Sequence, residues 1–290
     1  MKTKFITIVG PTGSGKTALA IELAQQFNGE IICADSRTIY QDFNIGTAKP
    51  DTKQLVAVPH YGLNLIKPGS SYSASQFKDY VAKTMQNMWV RGKNPFLVGG
   101  SGLYIDAVLF DYQFRNQKDK RDFSQLTNEE LIKIGEENYP EAMSSIDHKN
   151  RRRLEQLIAR GPAQKKDRQK LKKETIIIGL TVEKALLKEK LEHRIDEMLN
   201  NNLVQETKDL INRYGIDCPQ LRIIGYRAMT RYILGEINLE EAKQQFLHDD
   251  LELARRQMTW FRRNPYIQWI NDPSQAQRLV KNYLDNASVQ

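Results

Sequence analysis

The chain has 290 residues, 40% of them hydrophobic and 27% charged, with a formal net charge of +8. That balance suits a globular chain long enough for one large domain or a core with an insertion, and no apolar run approaches the roughly 20 residues of a membrane helix. Two widely separated cysteines, Cys33 and Cys218, read as reduced thiols, and no Cys/His cluster has the spacing of a zinc module.

The N-terminal ten residues hold two lysines and an apolar run too short for a signal-peptide core. Residues 5–9 (Phe-Ile-Thr-Ile-Val) are therefore expected as a first strand, and a cytoplasmic location follows. Gly10-Pro11-Thr12-Gly13-Ser14-Gly15-Lys16-Thr17 comes next, then a helix over residues 18–27 with Leu19, Leu23 and Phe27 on one face. Asn28-Gly29 ends it. Further buried strands are expected at 31–34, closing on Asp35, at 95–98, closing on Gly99-Gly100, and at 175–180. Strands alternating with helices predict an α/β fold: a P-loop NTPase-like parallel sheet flanked by helices, with ligands beyond the carboxyl ends of the strands.

From about residue 116 to 173 no strand-like run occurs, and residues 128–138 and 150–160 look helical. Residues 151–173 hold ten Lys/Arg against two acids, an excess equal to that of the whole chain. The basicity is thus local. A run of this kind is either a solvated face or a surface that meets phosphates. The organisation expected is a catalytic core of 1–116 and 174–290 with a helical basic insertion at 117–173. After residue 180 the chain reads as helical almost to its end, with amphipathic stretches at 183–213, broken near 200–202, and at 240–263.

Gly10 to Thr17 fit G-x-x-x-x-G-K-[ST] between a strand and a helix, the context that makes the match specific. Backbone amides of such a loop, with the helix N-terminus, cradle phosphate oxygens. Lys16 would neutralise a terminal phosphate, and the Thr17 hydroxyl would serve Mg²⁺. The motif implies a diphosphate or polyphosphate ligand without saying which. Asp35 is either a proton acceptor or a helix cap, since Asp-Ser before a helix is a common cap. Gly99-Gly100-Ser101-Gly102 is either a tight turn or a place where substrate approaches the backbone. Arg194, alone in an amphipathic helix, reads most simply as a surface ion-pair partner. The run Arg255-Arg256-Gln257-Met258-Thr259-Trp260-Phe261-Arg262-Arg263 is either a nucleic-acid face or a core helix with a basic outer side.

Taken in order, these residues resemble the tRNA dimethylallyltransferase (isopentenyl-tRNA transferase) family. The P-loop is followed by Asp35-Ser36-Arg37-Thr38-Ile39-Tyr40, Asn44-Ile45-Gly46-Thr47-Ala48-Lys49-Pro50, Val58-Pro59-His60-Tyr61 and Tyr72-Ser73-Ala74-Ser75-Gln76-Phe77. Leu97-Val98-Gly99-Gly100-Ser101-Gly102-Leu103-Tyr104 carries Ser where the family has Thr. Arg194-Ile195-Asp196-Glu197-Met198, Ile224-Gly225-Tyr226-Arg227 and Arg256-Gln257-Met258-Thr259-Trp260-Phe261-Arg262 complete the series. The resemblance spans nearly the whole chain.

It implies transfer of a dimethylallyl group from dimethylallyl diphosphate to N6 of adenosine 37, in tRNAs reading codons that begin with U. It implies Asp35 as base, Lys16, Arg194 and the P-loop as the diphosphate grip, and Mg²⁺ near Thr17. Asp35, Ser36, Arg37, Thr38, Ser101 and Arg121 would contact tRNA in the channel, and Arg152 and Arg153 would grip the anticodon arm. A monomer without a membrane partner is expected. Gln156, Asn202 and Asp250-Leu251-Glu252 depart from the pattern, where an arginine, a glycine and a threonine-arginine-glutamine run are usual. An ATP-dependent small-molecule kinase would share the P-loop and the acid, and a decayed tRNA-binding relative would share the basic insertion.

Overall fold

The structure is a computed structural model that describes residues 4–114, 122–162, 171 and 174–285. It divides into two compact units, Met1–Tyr112 with Lys170–Gln290, and Gln113–Gln169. Arg121 and six of the basic residues, Lys165, Lys166, Arg168, Lys170, Lys172 and Lys173, lie outside the described residues.

The larger unit is built on β1 (Phe5–Val9), β2 (Gly29–Cys33), β3 (His60–Tyr61), β4 (Asn94–Gly99), β5 (Thr175–Leu180) and β6 (Ile267–Ile270). They form one all-parallel sheet in the order β3-β2-β4-β1-β5-β6. The β-branched runs of β1 and β5 are buried on both faces, as parallel central strands require. Helices α1 (Lys16–Gln26), α2 (Thr52–Ala57), α3 (Ala74–Val90) and α4 (Gly102–Leu109) follow the first strands. Leu19 and Leu23 of α1 pack with Ile6, Ile8 and Phe96 on one face. Phe77, Val81 and Met85 of α3 and Ile105 and Val108 of α4 pack with Val9, Ile32 and Leu97 on the other. Ser73 and Gln76 start α3 with a reciprocal capping box.

The smaller unit holds α5 (Asn128–Asn138), α6 (Pro140–Met143) and α7 (Arg151–Arg160) around Leu131, Met143, Leu154, Leu157 and Ile158. Back in the larger unit come α8 (Lys184–Asn200), α9 (Leu203–Tyr214), α10 (Tyr226–Ile233), α11 (Leu239–Phe261) and α12 (Ser274–Asp285). Asn202 breaks α8 from α9 at φ 68, a left-handed position that asparagine tolerates. Helices α8 to α11 share a third core through Leu191, Ile195, Leu210, Tyr226 and Phe246.

The C-terminal region is not helical throughout. Ile267–Ile270 pairs with β5 as the edge strand, and α12 then packs Ala276 and Val280 on the sheet. Four residues with only their ends buried carry too little alternation to announce a strand.

Candidate active site

A cleft of about 920 Å³ opens at the carboxyl end of the sheet. Thr12, Gly13, Gly15, Lys16 and Thr17 line it from the P-loop, Asp35, Arg37 and Thr38 from beyond β2, and Arg194 from α8. Gly10, Pro11 and Ser14 belong to the same loop but not to the lining, and the buried Ser14 Oγ has no partner among the described residues. Gly13 takes φ +76, and a Cβ there would lie 2.8 Å from Leu191 Cδ2, so the loop closes on α8 only with glycine.

Lys16 Nζ donates to the Pro11 carbonyl at 2.7 Å. Burial lowers its pKa to about 7, Asp35 opposes the fall, and Arg194 and Arg37 add to it. Without an anion in the cleft this lysine is only partly charged at neutral pH.

Asp35 does not cap a helix. Its Oδ1 accepts the Arg37 amide at 2.9 Å in an Asx-type turn, and the Arg37 side chain reaches both carboxylate oxygens, Nε to Oδ1 at 3.4 Å and Nη2 to Oδ2 at 3.3 Å. Burial by itself raises the Asp35 carboxyl; the Arg37 charge and hydrogen bonds, with Lys16, more than reverse this and hold it below the usual carboxylate range. Among the described residues Oδ2 takes a single donor, which leaves it a lone pair. Ser36 and Ser101 sit beside this turn rather than in the lining: the Ser36 amide donates to Ser101 Oγ at 2.9 Å, and Ser101 precedes α4 as its N-cap residue. Thr38 Oγ1 donates to the Asp35 carbonyl at 3.2 Å.

Arg194 is not a surface residue paired along its own helix. Nη1 donates to Thr12 Oγ1 at 2.9 Å, and Nη2 donates to the fully buried Asp250 of α11. Gln257, two turns further along α11, accepts the Thr12 amide at 2.7 Å and donates to the Gly100 carbonyl at 3.1 Å. Gly100 has no room for a side chain, since a Cβ would lie 2.2 Å from Gln257 Nε2. Trp260, on the exposed side of α11, donates to Asp106 at 2.8 Å. The helix therefore combines a buried stripe (Asp250, Ala254, Gln257, Phe261) with an outer side that exposes Arg255, Arg256 and Trp260.

Arg152 and Arg153 are exposed on α7 of the smaller unit, as is Gln156. Their neighbour Arg151 is committed internally, to Glu155 and to the carbonyls of Leu126 and Phe123.

Sequence reasoning missed Asp250 and Gln257 as site residues. Both fall on the buried face of a helix read as amphipathic, where a polar side chain signals a partner. It also missed Glu206 of α9, whose carboxylate accepts the amides of Asn44, Ile45 and Gly46 and thereby fixes the loop that brings Thr47 and Lys49 to the cleft.

A family model described as IPP transferase matches residues 38–264, and one described as isopentenyl transferase matches residues 3–67. A tRNA dimethylallyltransferase of Bacillus cytotoxicus is 35% identical over 286 residues, covering 93% of this chain and 90% of the relative. This chain belongs to the IPP transferase family. Among solved structures, the tRNA isopentenylpyrophosphate transferase of Bacillus halodurans matches this IPP transferase with a TM-score of 0.77 at 30% identity, covering 99% of this chain and 98% of the other. A eukaryotic dimethylallyltransferase acting on tRNA shares the fold, with a TM-score of 0.84 at 23% identity over 98% of this chain and 80% of its own. No helix among the described residues of the IPP transferase is long and apolar enough to cross a membrane.

Proposed function

We propose that this IPP transferase moves a dimethylallyl group from dimethylallyl diphosphate to N6 of adenosine 37 in tRNAs reading codons that begin with U, releasing diphosphate. The observation that carries the reading is the convergence of Lys16, Arg194 and the P-loop on the same cleft as the Asp35 carboxylate. A diphosphate grip facing an acid is what displacement at an allylic carbon requires.

In that reaction the bond from N6 to the allylic carbon forms as the carbon–oxygen bond breaks, and the diphosphate oxygen takes the electron pair. P-loop amides, the Lys16 ammonium and the Arg194 guanidinium hold that growing charge. The N6 proton passes to Asp35, whose Oδ2 retains a lone pair. A carboxylate of low basicity suffices, because an adenine amine becomes strongly acidic only as its nitrogen is alkylated. The adenosine must leave its stack to enter the cleft.

The residues present suit Mg²⁺. Thr17 is exposed and lines the cleft, and this ion needs only one or two protein oxygens beside phosphate and water. Bound there, it would neutralise diphosphate charge. For the nucleic acid, Ser36, Arg37, Thr38 and Ser101 border the cleft, and Arg152 and Arg153 offer unshielded cations to the phosphates of the anticodon arm. We further propose that the protein works as a cytoplasmic monomer.

The test is a transfer assay with purified protein, Mg²⁺, labelled dimethylallyl diphosphate and unmodified tRNA, followed by nucleoside separation. Label in N6-dimethylallyladenosine that disappears with Lys16→Ala is expected. No label across a full set of unmodified tRNAs, or transfer of a γ-phosphate from ATP to a small acceptor, would overturn the reading.

A further inference from the structure

The buried stripe of α11 places one carboxylate where it has no obvious business, against a site built to bind an anion. Asp250 is fully buried, and its Oδ2 accepts from Arg194 Nη2 at 2.5 Å. Oδ1 of Asp250 and Nε of Arg194 are both buried without a hydrogen-bond partner among the described residues. The pair therefore makes one strong contact rather than a complete fork, although a guanidinium can present two parallel donors to a carboxylate.

That incompleteness decides what the pair does. A guanidinium has five N–H groups. One on Nη1 is given to Thr12 Oγ1 and one on Nη2 to Asp250, which leaves a second N–H on each terminal nitrogen. The Arg194 side chain remains 23% exposed, on the wall of the cleft. It is thus held from two sides, by the P-loop itself and by α11, with donors to spare for an incoming anion. A long arginine side chain otherwise loses rotamer freedom when it is fixed by a ligand. The charge balance has the same sense: Lys16, Arg37 and Arg194 crowd one cleft, and Asp250 joins Asp35 in offsetting their repulsion.

We propose that Asp250 is a positioning residue that acts through Arg194: it fixes the guanidinium against Thr12, so that the remaining N–H groups are already oriented when a diphosphate arrives. The ligand's identity rests on the prenyl-transfer reading, but the tether requires only a diphosphate group.

The test is binding of inorganic pyrophosphate with Mg²⁺ to the full chain by titration calorimetry, beside steady-state transfer kinetics and direct tRNA binding. Asp250→Ala is expected to weaken pyrophosphate at least tenfold and to raise KM for dimethylallyl diphosphate, with tRNA affinity unchanged. Asp250→Asn, which keeps an acceptor oxygen within reach of Nη2, is expected to stay within about threefold of the parent protein. Arg194→Ala with Asp250→Ala should bind pyrophosphate no more weakly than Arg194→Ala alone, the signature of one residue acting through the other. Pyrophosphate bound as tightly by Asp250→Ala as by the parent would overturn the proposal, and so would a further loss in the Arg194→Ala background. Should Asp250→Ala fail to fold, Asp250→Asn is compared with Asp250→Thr, whose hydroxyl sits on a shorter side chain. Equal pyrophosphate affinity in those two variants overturns the proposal. Pyrophosphate binding with this pattern but no prenyl transfer would unseat the functional reading and leave the tether standing.

Discussion

Gln257 ties the P-loop to the second glycine turn, accepting the Thr12 amide at 2.7 Å and donating to the Gly100 carbonyl at 3.1 Å. One side chain on α11 thereby joins the ends of β1 and β4, which bear the two glycine segments of the cleft. The side-chain amide is neutral and offers an acceptor to one backbone and a donor to the other.

Gln257→Leu keeps the volume and removes both contacts. Leaving a buried polar group unpaired costs about 1–3 kcal/mol. The expected result is a loss of about 2–4 kcal/mol in urea unfolding, with a raised KM for dimethylallyl diphosphate. Gln257→Glu should bring carboxylate and carbonyl oxygens together at Gly100 and cost at least as much. Stability and KM unchanged in both variants would mean that the two turns hold themselves.

Lys16 should make binding of a diphosphate depend on pH. Its pKa is lowered to about 7 in the ligand-free cleft, chiefly by burial, so the free protein loses this cation as pH rises through 7. A bound diphosphate favours the charged form and raises that value. Between the two values binding takes up a proton, and affinity falls with rising pH, by up to about tenfold per pH unit. The same shift has an opposite sense for folding. The unfolded chain binds this proton up to its ordinary pKa, so the ligand-free fold gains stability from Lys16 as pH rises above 7. Calorimetry of pyrophosphate binding in buffers of different ionisation enthalpy should show proton uptake at pH 8, lost in Lys16→Met. Equal uptake in that variant would assign the proton to another group.

The P-loop end of the cleft was legible in sequence because its parts are local. Strand, P-loop and helix lie within residues 5–26, and Gly15 stands at positive φ where the motif has glycine. The breaks at the ends of β2 and β4 were equally plain, since apolar runs stop at Asp35 and Gly99. The partners of Arg194 were not legible. Thr12 and Asp250 come from opposite ends of the chain, and helical periodicity records only that a polar residue interrupts an apolar stripe. The edge strand β6 escaped for another reason: it is short, and its identity comes from pairing with β5 rather than from its own pattern.

Tyr226 and Glu206 anchor the loop that opposes the P-loop. The Tyr226 hydroxyl donates to Glu206 Oε1 at 2.5 Å and accepts the Gly46 amide at 3.1 Å, with the ring fully buried. Tyr226→Phe leaves the shape and removes both bonds, for an expected loss of about 1–3 kcal/mol. Glu206→Gln keeps the length and weakens three backbone contacts. In both variants the amides of residues 44–46 should exchange faster with solvent while those of β1 and β5 keep their protection. Exchange that rises uniformly across the sheet would point to global destabilisation instead.

Arg151, Arg152 and Arg153 are adjacent in sequence and should separate cleanly in experiment. The Arg151 guanidinium is spent inside its own unit, on Glu155, Leu126 and Phe123, whereas Arg152 and Arg153 are exposed on α7. Arg151→Ala should therefore lower the stability of the unit, and affect tRNA binding only where that unit unfolds. Arg152→Ala with Arg153→Ala should leave stability intact and weaken tRNA binding at low salt. Each phosphate contact contributes about 0.7–0.9 to the slope of log affinity against log salt, so the double variant should flatten that slope by about 1.5. Titrations between 50 and 200 mM salt span enough of the curve to read the difference. A slope unchanged in the double variant would remove these two arginines from the phosphate contacts and leave the basic run as a solvated face.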